Sequence, residues 1–118
     1  MADDTTVWFN PSCSKCVGAR ELLEEKGVDA SFYEYLQEAP SRADLERVLG
    51  LLGFSDDPRQ LMRTGESVYK SLGLADVTDR DALIDAMVDN PILIERPIVI
   101  RGDRAVIGRP PERLLELL

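Results

Sequence analysis

The first apolar run, Thr6-Val7-Trp8-Phe9, is short and continuous, and the turn-forming residues Asn10-Pro11-Ser12 follow it at once. This predicts a buried strand that ends in a turn leading into Cys13. From Ser14 to Lys26 the period changes: Cys16, Ala19, Leu22 and Leu23 recur at helical spacing, and Gly27 supplies a stop. Cys13 is thereby predicted at the N-terminus of a helix. Alternation returns in Ser31-Phe32-Tyr33-Glu34-Tyr35, a second strand, so residues 5–35 read as a strand-helix-strand unit with parallel strands and a right-handed crossover.

The middle of the chain is patterned as helix. Ser41 is a predicted N-cap with Asp44 three residues on, and Leu45, Val48, Leu49 and Leu52 share one face before Gly53. A second helix is predicted from Asp79 to Asp89, its face Leu83, Ile84, Met87 and Val88 and its stop Asn90-Pro91, with shorter pieces around 58–63 and 66–72 between the two. Ile98-Val99-Ile100 and Ala105-Val106-Ile107 are two more strands, and Gly102-Asp103 supplies the turn of an antiparallel hairpin. Pro110-Pro111 then opens a final helix carrying Leu114, Leu115, Leu117 and Leu118. The order is β-α-β, helices, β-β-α, which predicts an α/β fold.

A length of 118 residues with 44 % hydrophobic content suits one domain, 1–118, with a helical insertion at about 41–90. The net charge of -8 argues against a nucleic-acid or anionic-membrane surface, so neither partner is expected. No apolar run approaches the ~18 to 20 residues of a membrane span, and the acidic Met-Ala-Asp-Asp start is unlike a signal peptide. A cytoplasmic location is the expectation. The chain contains no histidine, which removes Ser-His-Asp triads, Cys-His pairs and imidazole metal sites. Two cysteines are too few for a four-cysteine zinc site or a disulfide framework, so no metal is expected and a redox or nucleophilic role remains.

A thiol at a helix N-terminus faces unpaired backbone N–H groups and the positive end of the helix dipole. Such placement typically brings a cysteine pKa into the range of about 3.5 to 7.5. The same N–H groups cradle oxyanions, and Lys15 and Arg20 add positive charge, so a thiolate and an anionic substrate can share one site. Cys13 and Cys16 are spaced C-x-x-C, close enough for a disulfide that resolves an adduct on Cys13; the plainer reading of Cys16 as a small buried hydrophobe stays open. Trp8, Phe9, Phe32, Tyr33 and Tyr35 read as core or strand-face packing, and the acidic residues as solvated helix faces.

Asn10-Pro11-Ser12-Cys13, Gln60-Leu61-Met62-Arg63, Leu72-Gly73-Leu74, the run from Asn90 to Val99 and Gly108-Arg109-Pro110 together resemble the ArsC-like arsenate reductases of thioredoxin-like fold, over nearly the whole chain. The resemblance implies a thioredoxin-like α/β fold with a mixed four-stranded sheet. It implies attack of Cys13 on arsenate, an oxyanion held by Arg63, Arg96 and Arg109, a cis-proline at Pro97 and Asn10 beside the site. Guanidinium forks suit this task because they stay charged and bind tetrahedral oxyanions bidentately.

Two departures from the family pattern stand out. Phe9 occupies a position where members often carry histidine, so the helix dipole and arginines must do more. Cys16 stands where members recycled by glutaredoxin and glutathione often have serine. The implied donor is an external thiol reductant (glutathione and glutaredoxin, thioredoxin or another low-molecular-weight thiol), with no bound cofactor. The same superfamily holds Spx-type redox regulators that bind RNA polymerase, and a glutaredoxin-like disulfide reductase is a further alternative. Arg109 separates the arsenate reading from the regulators, which generally lack arginine there, and three convergent arginines would have no evident purpose in a disulfide reductase without an oxyanion substrate.

Overall fold

The computed structural model describes residues 4–118; Met1, Ala2 and Asp3, part of the acidic start read above, lie outside the described residues. The chain forms two compact units, one running up to Gln37 and resuming as Arg96–Leu118, the other being Glu38–Glu95.

In the first unit, β1 (Thr5–Trp8), β2 (Ser31–Tyr33), β3 (Ile98–Arg101) and β4 (Arg104–Ile107) form one sheet in the order β2-β1-β3-β4. β1 and β2 are parallel, joined through helix α1 (Ser14–Glu25), while β1 with β3 and β3 with β4 are antiparallel. The sheet is therefore mixed, as expected. Val7, Val99 and Val106 lie opposite one another across three strands and, being on one face, pack with Phe9 against Cys16, Ala19 and Leu23 of α1. On β1 the neighbouring Trp8 ring meets Tyr33 edge-on at 5.3 Å and stacks near Tyr35 at 6.2 Å. β2 ends at Tyr33, two residues earlier than its alternation predicts, because the chain turns there with Tyr35 N donating to Tyr33 O. Tyr35 is nonetheless fully buried.

The hairpin is as tight as its sequence suggests: Arg101 pairs with Arg104, and Gly102 takes φ 60 at the first turn position. The C-terminal segment Pro111–Leu117 is a 3₁₀ helix. Leu114 and Leu117, three apart, are buried and Leu115 and Leu118 are exposed, the spacing that three residues per turn requires. This turn lies so close to α1 that a Cβ on Gly18 would stand 3.1 Å from Pro111 Cγ.

In the second unit, α2 (Arg42–Leu52), α3 (Ser67–Ser71) and α4 (Arg80–Asp89) are linked by 3₁₀ turns at Pro58–Leu61 and Leu74–Asp76, and Pro91–Leu93 follows α4. α2 starts in a reciprocal capping box, Asp44 N donating to Ser41 Oγ and Ser41 N to Asp44 Oδ2, both at 3.1 Å, and ends at Gly53 with φ 79. α2 packs against α4, and Arg42 pairs with Asp81 and Asp85 at 2.6 and 2.5 Å. The Arg59 guanidinium bonds Tyr69 Oη and the carbonyls of Leu74 and Val77, tying the central turns together. Met62 and Ile94 form an antiparallel bridge, with Arg63 N donating to Leu93 O and Glu95 N to Leu61 O at 2.7 Å each.

Candidate active site

The turn before α1 is built by Asn10. Its side-chain oxygen accepts from Ser12 N at 3.0 Å and its carbonyl from Cys13 N at 3.0 Å, which fixes the chain just where the helix begins. Cys13 is the N-cap of α1, in extended conformation, and its side chain makes no capping hydrogen bond to the helix. A residue chosen for capping alone would be Ser, Thr, Asp or Asn. The sulfur instead sits among donors.

Cys13 is 8 % exposed. Burial by itself pushes its thiol up, but the Cys16 backbone N–H, the Arg96 guanidinium, the Cys16 thiol and the Lys15 backbone N–H outweigh it, and the pKa falls from an ordinary 9.0 to about 7. Cys16 moves the other way. Burial first, then the neighbouring Cys13 charge and hydrogen bond, push it to about 12, against the Asn10 backbone N–H and Arg96, which lower it. The pair thus differentiates into a thiolate near the helix end and a thiol one turn along.

Arg96 begins the second stretch of the first unit. Burial works against its charge, but the Cys13 sulfur that accepts its hydrogen bond, the Tyr35 phenol and the Cys16 sulfur raise its pKa, so it stays a cation. Arg109 Nη1 donates to the Arg96 carbonyl at 3.1 Å, and Gly108 N donates to Pro97 O at 2.8 Å. The two segments touch: a Cβ on Gly108 would lie 3.0 Å from Pro97 Cγ. The Arg96-Pro97 bond is cis, as the resemblance implies, and so is Arg109-Pro110, which no sequence feature announced.

Arg63 belongs to the other unit. Its Nε donates to Glu66 at 3.1 Å and its Nη1 to Glu95 at 2.8 Å. These carboxylates hold a guanidinium and are only about a quarter exposed, so these two depart from the expected solvated acidic faces; Glu46, 39 % exposed, pairs with Arg80. Among the described residues, no group of three or more His, Cys, Asp or Glu side chains is placed to hold a metal ion, and no helix is long and apolar enough to cross a membrane.

A sequence model of the ArsC family matches residues 8–117. The chain belongs to the ArsC family. It is 46 % identical over 113 residues to a protein of Haemophilus influenzae named arsenate reductase, with 95 % of this chain and 97 % of that protein aligned. It is 44 % identical over 119 residues to the uncharacterized protein YfgD of Escherichia coli, covering 100 % and 99 %. The solved structure of an arsenate reductase from Vibrio cholerae superposes with a TM-score of 0.94 at 41 % identity, covering all of both chains. The fold is accordingly the thioredoxin-like α/β fold of this family.

Within this ArsC chain, Phe9 is a buried packing residue. Its ring meets Phe32 edge-on at 5.2 Å and carries the Arg20 guanidinium at 5.3 Å. Arg20, whose charge was counted above toward the thiolate, lies over this aromatic face. Sequence reasoning passed over Tyr35, read as packing but electrostatically linked to Arg96, and Gly108, which permits the close approach to Pro97. A tyrosine in place of phenylalanine at the end of an apolar strand, and a glycine next to a candidate arginine, were the available signals.

Proposed function

We propose that this chain reduces arsenate to arsenite through a covalent adduct on Cys13. The observation that carries the reading is the placement of Cys13 as the N-cap of α1, with Arg96 among the groups that lower its thiol to about 7 and Arg109 bonded to the Arg96 backbone. Relatives named arsenate reductase that align over nearly their whole length support the substrate.

The anion docks on the N–H groups of α1 with Arg96 and Arg109, and the resemblance adds Arg63. Fixed positive groups there stabilise the charge that builds up in the transition state. The Cys13 thiolate bonds to arsenic and an arsenate hydroxyl leaves as water, taking up one proton. A second thiol then bonds to the Cys13 sulfur, the sulfur–arsenic bond breaks with its electron pair passing to arsenic, and arsenite departs, leaving a disulfide. An external thiol reductant resets the enzyme. This chemistry suits a reducing compartment, so the cytoplasm is its proposed location, and the helical unit is proposed to be an insertion within one thioredoxin-like domain.

The test is arsenate-dependent NADPH oxidation by the purified protein, supplied in parallel with thioredoxin and with glutathione–glutaredoxin recycling. Cys13→Ser is expected to abolish turnover and Arg96→Ala to raise the arsenate KM. Full activity in Cys13→Ser sinks the scheme. No arsenate turnover with any donor, in protein whose Cys13 is reactive, favours the disulfide-reductase or polymerase-binding regulator readings.

A further inference from the structure

The geometry points to Cys16 as the thiol that takes the arsenic adduct off Cys13, and to a dithiol protein of the thioredoxin kind, rather than a monothiol, as the donor that resets the pair. This rests on the arsenate reading above and deepens it.

Cys16 is 0 % exposed, so an incoming reagent does not reach its sulfur. Its reachable neighbour is Cys13, the N-cap one helical turn away on the same helix and in the same buried cluster. Their sulfurs are the two atoms that a disulfide would join. A small inert hydrophobe at this position has no reason to face the reactive sulfur. An intramolecular thiol held in place also acts at an effective concentration far above that of any external one.

The pair is ordered in time by its own charges. While Cys13 is a thiolate, its charge and its hydrogen bond add to burial in keeping Cys16 protonated. Loading arsenic on Cys13 converts the thiolate to a thioether-like sulfur and takes the charge off that atom, while Arg96, which favours the Cys16 thiolate, stays. Cys16 gives its proton to an oxygen of the arsenic adduct as it attacks. The Cys13–Cys16 bond forms, the sulfur–arsenic bond breaks, arsenic gains the electron pair and is reduced from As(V) to As(III), and both thiols are oxidised to a disulfide. The external reductant meets that disulfide at Cys13, the sulfur that retains exposure. A dithiol donor forms a mixed disulfide there and completes the exchange with its own second thiol, regenerating Cys13 and Cys16 and leaving the donor oxidised.

The experiment has two arms, using wild type, Cys16→Ser and Cys16→Ala. In the first, reduced protein without donor receives arsenate, is quenched with an alkylating agent in denaturant, where both thiols are reachable, and is mapped by mass spectrometry. Wild type is expected to release stoichiometric arsenite with a Cys13–Cys16 disulfide, and both variants to stall at the adduct. In the second, wild type is oxidised with diamide and its reduction followed directly with thioredoxin or with glutathione. Thioredoxin is expected to be faster by at least about tenfold. In steady state the variants' donor preference should reverse toward glutathione–glutaredoxin, which also shows that they are folded. Arsenite release by wild type with Cys16 still alkylatable, or a diamide disulfide reduced equally well by both donors, overturns the inference. Absence of arsenate chemistry in every sample overturns the arsenate reading instead, and the diamide arm still decides the donor.

Discussion

At the residue scale the chemistry depends on which protonation state each sulfur holds at neutral pH. Cys13, brought to about 7, is half thiolate there, whereas Cys16 at about 12 is a thiol. Alkylation by iodoacetamide should therefore modify Cys13 alone, with a rate that rises through a midpoint of about 7 as the pH is increased. Arg96 is the side chain outside α1 that lowers Cys13, so Arg96→Ala should move that midpoint up toward 9.0. Arg96→Lys should restore part of the shift, since it returns the charge without the planar fork. A midpoint unchanged in Arg96→Ala would mean that the backbone N–H groups suffice.

At the element scale, two local devices carry the architecture. The Ser41–Asp44 capping box satisfies donors at the start of α2 that no intrahelical carbonyl reaches. Ser41→Ala should cost about 1 kcal/mol in urea unfolding and leave Cys13 reactivity unchanged. The close approach of Gly108 to Pro97 is of a different kind, because it joins the segments that bear Arg96 and Arg109. Gly108→Ala must push either the proline ring or the Arg109 backbone, a strain of about 1 to 3 kcal/mol. It should also raise the alkylation midpoint of Cys13, a readout that a purely structural packing defect elsewhere, such as Ser41→Ala, does not move.

At the scale of the whole molecule, the two thiols link folding to pH in opposite senses. A Cys13 pKa lowered to about 7 from 9.0 contributes stability that is full above pH 9.0 and is lost as pH falls through about 7. A Cys16 pKa raised to about 12 leaves stability untouched below 9.0 and removes it progressively from there toward 12. The difference in unfolding free energy between wild type and Cys13→Ala should accordingly widen from pH 6 to pH 9, measured by denaturant midpoints; a constant difference would contradict the thiolate assignment. The sequence by itself determined the elements that depend on near neighbours: the period of α1 and Cys13 at its start, the capping box, the two-residue turn at Gly102-Asp103, and hence the α/β order. Where burial, not periodicity, set an element's end, it was read too long, as at Tyr35, or given the wrong helical type, as at Leu114 and Leu117. Only the tertiary structure decided that Arg96 acts on the Cys13 thiol and lowers its pKa, that Arg109 bonds the Arg96 backbone, that Arg20 turns to Phe9, and that Glu66 and Glu95 hold Arg63. Helix periods and caps are encoded within a few residues, whereas a long charged side chain has many rotamers and selects its partner only after folding has fixed which opposite charges and ring faces lie within its reach.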